Sequence, residues 1–363
     1  MAETSSTTST LIFNETDSVT LSAIDQWIRA CELQIVNKSN PTQTLQLAED
    51  YKIRFKVESS SGERPNLLTV RVYNMPLEKM QKIVNEYSKV TLSAGYRVGQ
   101  HPGIFGIIFI GTIRKWIYGK ENVTDSYLEM TASTNDWGYN YALINGSITE
   151  SDPNPFLKQY HAAADAMGVQ YDRDSVDEVT KFANTMGGII PYPRGRVTFG
   201  MARVLARSLG DNMKGAQWSV QTDKFGVDRL VITRVAAQPS SQAIALTPNT
   251  GLIGIPQATE QGVVARCLIN PNLRIGVKVQ IDKSLILQTA VDRQGFLSWN
   301  DKLAGLPFVA TTTTSGFYQI LVIDHTGDTR GGEWYSDLTC LALNTDTNTN
   351  TQIQSLGNIA GAQ

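Results

Sequence analysis

Residues 324–334, DHTGDTRGGEW, hold the residue types that hydrolytic or metal chemistry needs: an imidazole with a carboxylate on either side. His325 with Asp324 or Asp328 would make a general base and its orienting acid, or the start of a metal-ligand set. The same residues also spell a turn. Gly327, Gly331 and Gly332 are expected to supply positive φ, Asp328 to cap the turn, and Trp334 to anchor the exit strand by packing. The turn reading is preferred, because both acids fall inside it and no second histidine stands nearby in sequence. A hydrolase using His325 is kept as the rival. His161 sits in an apparent helix and His101 in the loop QHPG, and neither has the i, i+4 partner or carboxylate of a zinc or acid–base site. No GxxxxGK[ST], GxGxxG or GxSxG motif occurs. The expectation is a chain with no catalytic residue, no cofactor and no metal.

A second cluster is basic. Lys52, Arg54 and Lys56 alternate with Tyr51, Ile53, Phe55 and Val57, so one face of a strand carries cations and the other is apolar. Such a face could track a phosphate backbone, which keeps a monomeric nucleic-acid-binding module as a second rival. It is also ordinary patterning for the outer face of a half-buried sheet, lining a lumen or an interface.

The elements that must position these residues are mostly strands. ACELQIV (30–36), YKIRFKV (51–57), LLTVRVYNM (67–75), KVTLSAGY (89–96), GIIFIGTI (106–113) and SYLEMTA (126–132) read as strands of a first β-domain. One helix interrupts them, with Pro76 near its first turn and Leu77, Met80, Ile83, Val84 and Tyr87 on one stripe that would plug one end or flank of a barrel. The middle turns helical. PFLKQYHAAADAMG (155–168) stops at Gly168, DSVDEVTKFANTMG (174–187) offers Ser175 and Glu178 as a capping box, and a third helix runs from Met201 to about Leu209. A hairpin around TDKFGVD follows. GVVARCLIN (262–270), LRIGVKVQID (273–282), SLILQTA (284–290), GFYQILVIDH (316–325) and EWYSDLTCLAL (333–343) then return to strand patterning.

Composition bounds the reading further. The 363 residues carry 32 Lys and Arg against 34 Asp and Glu, a formal charge of −2, so no global bias marks a nucleic-acid or membrane-surface binder. Charged residues are 18% of the chain, fewer than the roughly 25% usual in soluble domains, which suggests surfaces covered by partners. Cys31, Cys267 and Cys340 have no CxxC spacing and read as buried thiols. No stretch reaches the roughly 20 apolar residues of a membrane span, and the first residues lack the pattern of a secretory leader, so the chain is expected to be made in a cytoplasm without inserting in a membrane. Residues 1–25 hold eleven Ser or Thr, four acids and no Lys or Arg, and are expected to form a flexible arm. Its Leu11, Ile12, Phe13, Val19 and Leu21 suit docking on a neighbouring subunit. Residues 344–363 form a second polar tail.

Against this background, YKIRFKV, NLLTVRVYNMPLEKMQKIV (66–84), VTLSAGY (90–96) and IIFIGTI (107–113) resemble the N-terminal barrel of bacteriophage tail baseplate hub proteins. In that family a strand ending V-x-V-x-N-hydrophobic-(S/P), a helix and an "AGY…F-x-G-x-I" segment recur in this order. LTPNTGLIGIPQ (246–257), ARCLINPNLRIGVKVQID (265–282) and FYQILVIDHTGDTRGGEWYSDLTCLAL (317–343) resemble the C-terminal part of the same family, with its "NP-x-L-x-x-G" turn and "H-x-G-D-T…W" segment. The resemblance implies a mainly β chain with an α+β insert: two tail-tube-like β-barrel domains, 26–150 and 241–343, flanking a small α+β middle region, 151–240. It further implies a non-enzymatic homotrimer in the tail baseplate of a virion. Such a trimer caps the sixfold tail tube, joins it to a threefold central spike and leaves a channel for genomic DNA, without sequence-specific binding. Tail tube, spike and tape-measure proteins, with baseplate wedge proteins, are its implied partners. Related barrels occur in tailocins and contractile secretion systems. On this resemblance DHTGDTRGGEW is a hairpin of the second barrel.

Overall fold

The computed structural model describes residues 28–343, apart from 49, 62–63, 99–100, 149–151, 153, 186–195, 214–215, 224–225, 234–242, 260–261 and 287–315. The Ser/Thr-rich arm, the polar tail and most of SLILQTA lie outside the described residues.

In chain order the first block contains β1 (Ile28–Asn37), β2 (Thr44–Leu47), β3 (Ile53–Ser60), β4 (Leu67–Tyr73), α1 (Leu77–Glu86), β5 (Tyr87–Val98), β6 (His101–Lys120) and β7 (Ser126–Ser133). The middle comprises α2 (Asp136–Asn140), β8 (Leu143–Ile148), α3 (Pro155–Met167), β9 (Gln170–Tyr171), α4 (Arg173–Thr185), β10 (Arg196–Met201), α5 (Ala202–Asn212), β11 (Gln217–Thr222) and β12 (Asp228–Thr233). The last block has β13 (Ile244–Leu246), β14 (Leu252–Ala258), β15 (Gly262–Leu268), β16 (Lys278–Ile281), β17 (Phe317–Asp328) and β18 (Trp334–Ala342). The protein is mainly β, with a smaller α+β part between two β blocks.

One sheet takes in strands of both β blocks, in the order β14-β15-β18-β17-β3-β4-β7-β6-β5-β1-β2, with β16 on β17 and β13 beside β16. Its joint is the antiparallel pairing of β17 with β3, from Val322↔Ser60 to Asp328↔Arg54. Three apolar cores hold the fold, the first and third against this sheet and the second among the helices and small sheets of the middle region. The first gathers Leu33, Phe55, Val70, Leu92 and Met130, the second Phe156, Tyr160, Leu209 and Trp218, the third Val263, Val279, Ile320 and Leu338.

Local chemistry explains the recurrent segments. Asn74 ends β4 in the left-handed region (φ 53°), where an amide side chain is tolerated because it bonds locally. Its Oδ1 accepts the Ser126 N–H at 3.0 Å and its Nδ2 donates to Asp125. Gly95, in AGY, has φ 149°, and a Cβ there would stand 1.9 Å from the Ile104 carbonyl oxygen, so only glycine lets β5 approach β6.

Several elements depart from the sequence reading. Leu77 points to solvent, 55% exposed, while Met80 and Ile83 carry the α1 contact. The start of α4 is held by Asp172, whose carboxylate accepts from the Ser175 N–H and hydroxyl; Ser175 is therefore the capped partner and not the cap. LRIGVKVQID gives only the four-residue β16, because Asn270–Ile275 turn first, with Asn270 Oδ1 accepting from the Asn272 N–H. His101 opens β6 and does not lie in a loop.

Candidate functional site

The joint between β3, β17 and β18 is where the residues singled out in the sequence meet. Asp328 closes the hairpin: its N–H donates to Glu333 O at 2.8 Å, and its Oδ1 accepts from the Arg330 N–H at 2.9 Å. Gly327, Gly331 and Gly332 do not have positive φ, which corrects the expectation made for them. Gly327 is required by space instead. A Cβ there would fall 2.4 Å from Phe55 Cζ and 3.0 Å from Trp334 Cε3. Gly327→Ala is expected to cost about 2–3 kcal/mol by overpacking, measured by denaturant unfolding; a change below about 0.5 kcal/mol would show that the rings yield freely.

Trp334 is 2% exposed and meets Phe55 edge-on at 5.5 Å between ring centroids. It belongs to the first core and not to that of the last block. The hairpin tip thus plugs the other block. Arg29 covers it, with its guanidinium 5.8 Å from the indole centroid and Nη1 donating to Gly331 O at 2.7 Å.

The basic run is not an unopposed cationic strip. Lys52 and Arg54 face the Asp328 carboxylate at 4.0 and 3.8 Å, and Arg54 also faces Glu333 at 3.7 Å. Lys56 pairs with Glu58. On the neighbouring strands Arg71 meets Glu129 at 2.5 Å and Arg266 makes a two-pronged contact with Asp337 at 2.6 and 2.9 Å. Glu58, Asp324 and Asp337 occupy one row across β3, β17 and β18. Partial burial raises the Asp324 pKa, aided by the Glu58 and Asp337 charges and opposed by Lys56. This face therefore presents both signs, closely interleaved.

His325 lies on the opposite, inward face of β17. Its Nδ1 is 2.7 Å from Ser336 Oγ, and the two residues are 4% and 0% exposed. Burial alone pushes its pKa down to about 4, so the imidazole is neutral at ordinary pH. Strand alternation sends Asp324 and Asp328 to the other face, and neither carboxylate orients the ring. The pairing on which the hydrolase rival rested does not form. Sequence reasoning missed Ser336, whose register against His325 is set by the hairpin. Burial likewise pushes the Cys31 and Cys340 thiols up to about 12 and raises that of Cys267, leaving all three protonated. Among the described residues no group of His, Cys, Asp and Glu has the geometry to hold a metal ion.

The middle region carries an exposed apolar set: Trp137 and Tyr141 around α2, Leu143 and Met201 paired across β8 and β10, and Val204 on α5. No described helix is long and apolar enough to cross a membrane.

No protein-family model matches the chain, and no curated protein sequence matches it. Similar solved structures are those of phage tail proteins and of tail-like secretion components. The 43 kDa tail protein of prophage MuSo2 from Shewanella oneidensis is 9% identical, with a TM-score of 0.46 over 86% of this chain and 98% of that one. A tail protein from Neisseria meningitidis is 8% identical, with a TM-score of 0.42 over 87% and 96% of the two chains. An E. coli type VI secretion system component, itself described as similar to T4 phage tail proteins, is 9% identical, with a TM-score of 0.40 over 81% and 74%.

Proposed function

We propose that this chain is a structural hub of a phage tail baseplate, without enzymatic activity. It would assemble as a homotrimer that caps the tail tube and seats a central spike. The observation that carries the reading is the β3–β17 joint, which fuses two β blocks into one sheet. Two barrel-type units fixed in one chain, taken three times, match a sixfold ring, and the sequence resemblance of both blocks to hub barrels points the same way.

The charged face of that sheet suits the wall of a DNA channel. Each described cation on β3, Arg71 and Arg266 faces a carboxylate, so a passing phosphate backbone meets no unpaired cationic strip that would hold it. On this reading Lys52, Arg54 and Lys56 line the lumen in neutralised form. The exposed aromatic and aliphatic set around Trp137 and Leu143 is surface that partners such as spike, tape-measure or wedge proteins would cover in a virion.

Light scattering across a concentration series, followed by particle images, tests the proposal. The expected result is a mass of three chains and rings with an open centre. A mass of one chain at every concentration, both alone and mixed with the tail-tube subunit, would overturn it.

A further inference from the structure

A cleft of about 40 Å³ opens where the three cores approach one another, lined by Asn66 from the first block, Thr222 from β11, Arg274 from the Asn270–Ile275 turn and His325 from β17. One water needs about 10–15 Å³ by this measure, so the space holds about three waters or one small ion with a water. Its walls are polar in an unbalanced way. Arg274 spends Nη1 on the Thr222 carbonyl at 2.6 Å and Nε on the Pro271 carbonyl at 3.3 Å. Among the described residues it forms no ion pair. The carboxylate whose charge it feels, Asp223, is already engaged by Arg229 Nε at 2.9 Å. Burial accordingly disfavours the charged guanidinium.

Two further groups face the same space. Asn66 is 8% exposed and lines the cleft from the first block. His325 is 4% exposed, and its Nδ1 is committed to Ser336. When the Ser336 hydroxyl donates to Nδ1, the neutral ring carries its proton on Nε2 and becomes a donor toward the cleft. A half-buried guanidinium that forms no ion pair among the described residues thus shares one cleft with an amide and an imidazole.

We propose that this cleft binds a small monovalent anion, of chloride to formate size, between the Arg274 guanidinium, the Asn66 amide and the His325 Nε2–H. The ion neutralises Arg274 and ties the first block, the middle region and the last block together at one point. This proposal is independent of the assembly proposed above and applies to the single chain.

Thermal unfolding of the full chain in sodium chloride and in sodium gluconate, at equal ionic strength, reads the effect. Gluconate is too large for the space, and strongly excluded solutes stabilise proteins generally, so a bound chloride acts against that trend. The midpoint is expected about 2 °C or more higher in chloride and to saturate with concentration. Arg274→Gln is expected to abolish the difference. Equal midpoints for the wild type, or an undiminished chloride effect in Arg274→Gln, would overturn the site. Should Arg274→Gln fail to fold, bromide soaked into crystals of the wild type decides: an anomalous peak in the cleft supports the site, and an empty cleft refutes it.

Discussion

Trp334→Ala is expected to lower the unfolding free energy by about 3–5 kcal/mol, the range for deleting a fully buried aromatic side chain. The indole fills the first core from the tip of a hairpin that belongs to the last block, so its loss opens a void against Phe55 at the joint between them. Arg29 would lose the ring beneath its guanidinium as well. Trp334→Phe separates packing from hydrogen bonding. The Nε1–H of Trp334 is buried with no hydrogen-bond partner, so phenylalanine removes an unsatisfied donor while keeping an aromatic face. Its expected loss is under half that of alanine. Denaturant unfolding of the three proteins measures both, and equal losses for Ala and Phe would contradict the packing account.

Acid weakens the fold through His325. The ring titrates near 4 when folded and near 6.5 when unfolded, so between these values the unfolded chain takes up a proton that the native chain refuses. Stability is full above about pH 6.5 and falls as pH drops toward 4, by about 3 kcal/mol in all. Asp324 and Asp228 have raised pKa values, from burial first, and act with the opposite sign, gaining protons more readily in the native state. His325→Asn isolates the histidine: an amide can replace Nδ1 toward Ser336 but does not titrate. The variant is expected to be less stable near pH 7 and to lack most of the slope between pH 6.5 and 4. An identical slope in both proteins would assign the acid sensitivity elsewhere.

What was legible in the sequence was local. The alternation of Ile53, Phe55 and Val57 with Lys52, Arg54 and Lys56 marked β3, and the glycine and aspartate cluster at 324–334 marked a hairpin, because period-two patterning and turn chemistry act between near neighbours. The partners of those residues were not legible. Nothing in YKIRFKV announces that Arg54 will meet Asp328 and Glu333, so the run reads as a basic face although its charges are matched. Gly327 misled because glycine serves two physical ends, positive φ and close approach, and composition does not distinguish them. Ser175 misled likewise: a capping residue type three places before a glutamate satisfied a pattern, while Asp172 does the capping. His325 drew attention for its flanking acids, yet β alternation turns both away and the distant register supplies Ser336.

The β3–β17 joint also sets an order of events during synthesis. Ile53 and Thr329, which hydrogen-bond across it, are 276 positions apart. At about 5–20 residues per second a ribosome needs roughly 15–55 s to travel that distance. Throughout that interval β3 has emerged beside β4 but its other edge has no partner, a row of free N–H and C=O groups next to the apolar Phe55 and Val57. Lys52 and Arg54, later matched by Asp328 and Glu333, are at that stage uncompensated cations, while Lys56 already has Glu58 on its own strand. They would repel a second nascent copy aligned along the same edge, so the charges that become neutral in the finished sheet act first as its guard against premature pairing.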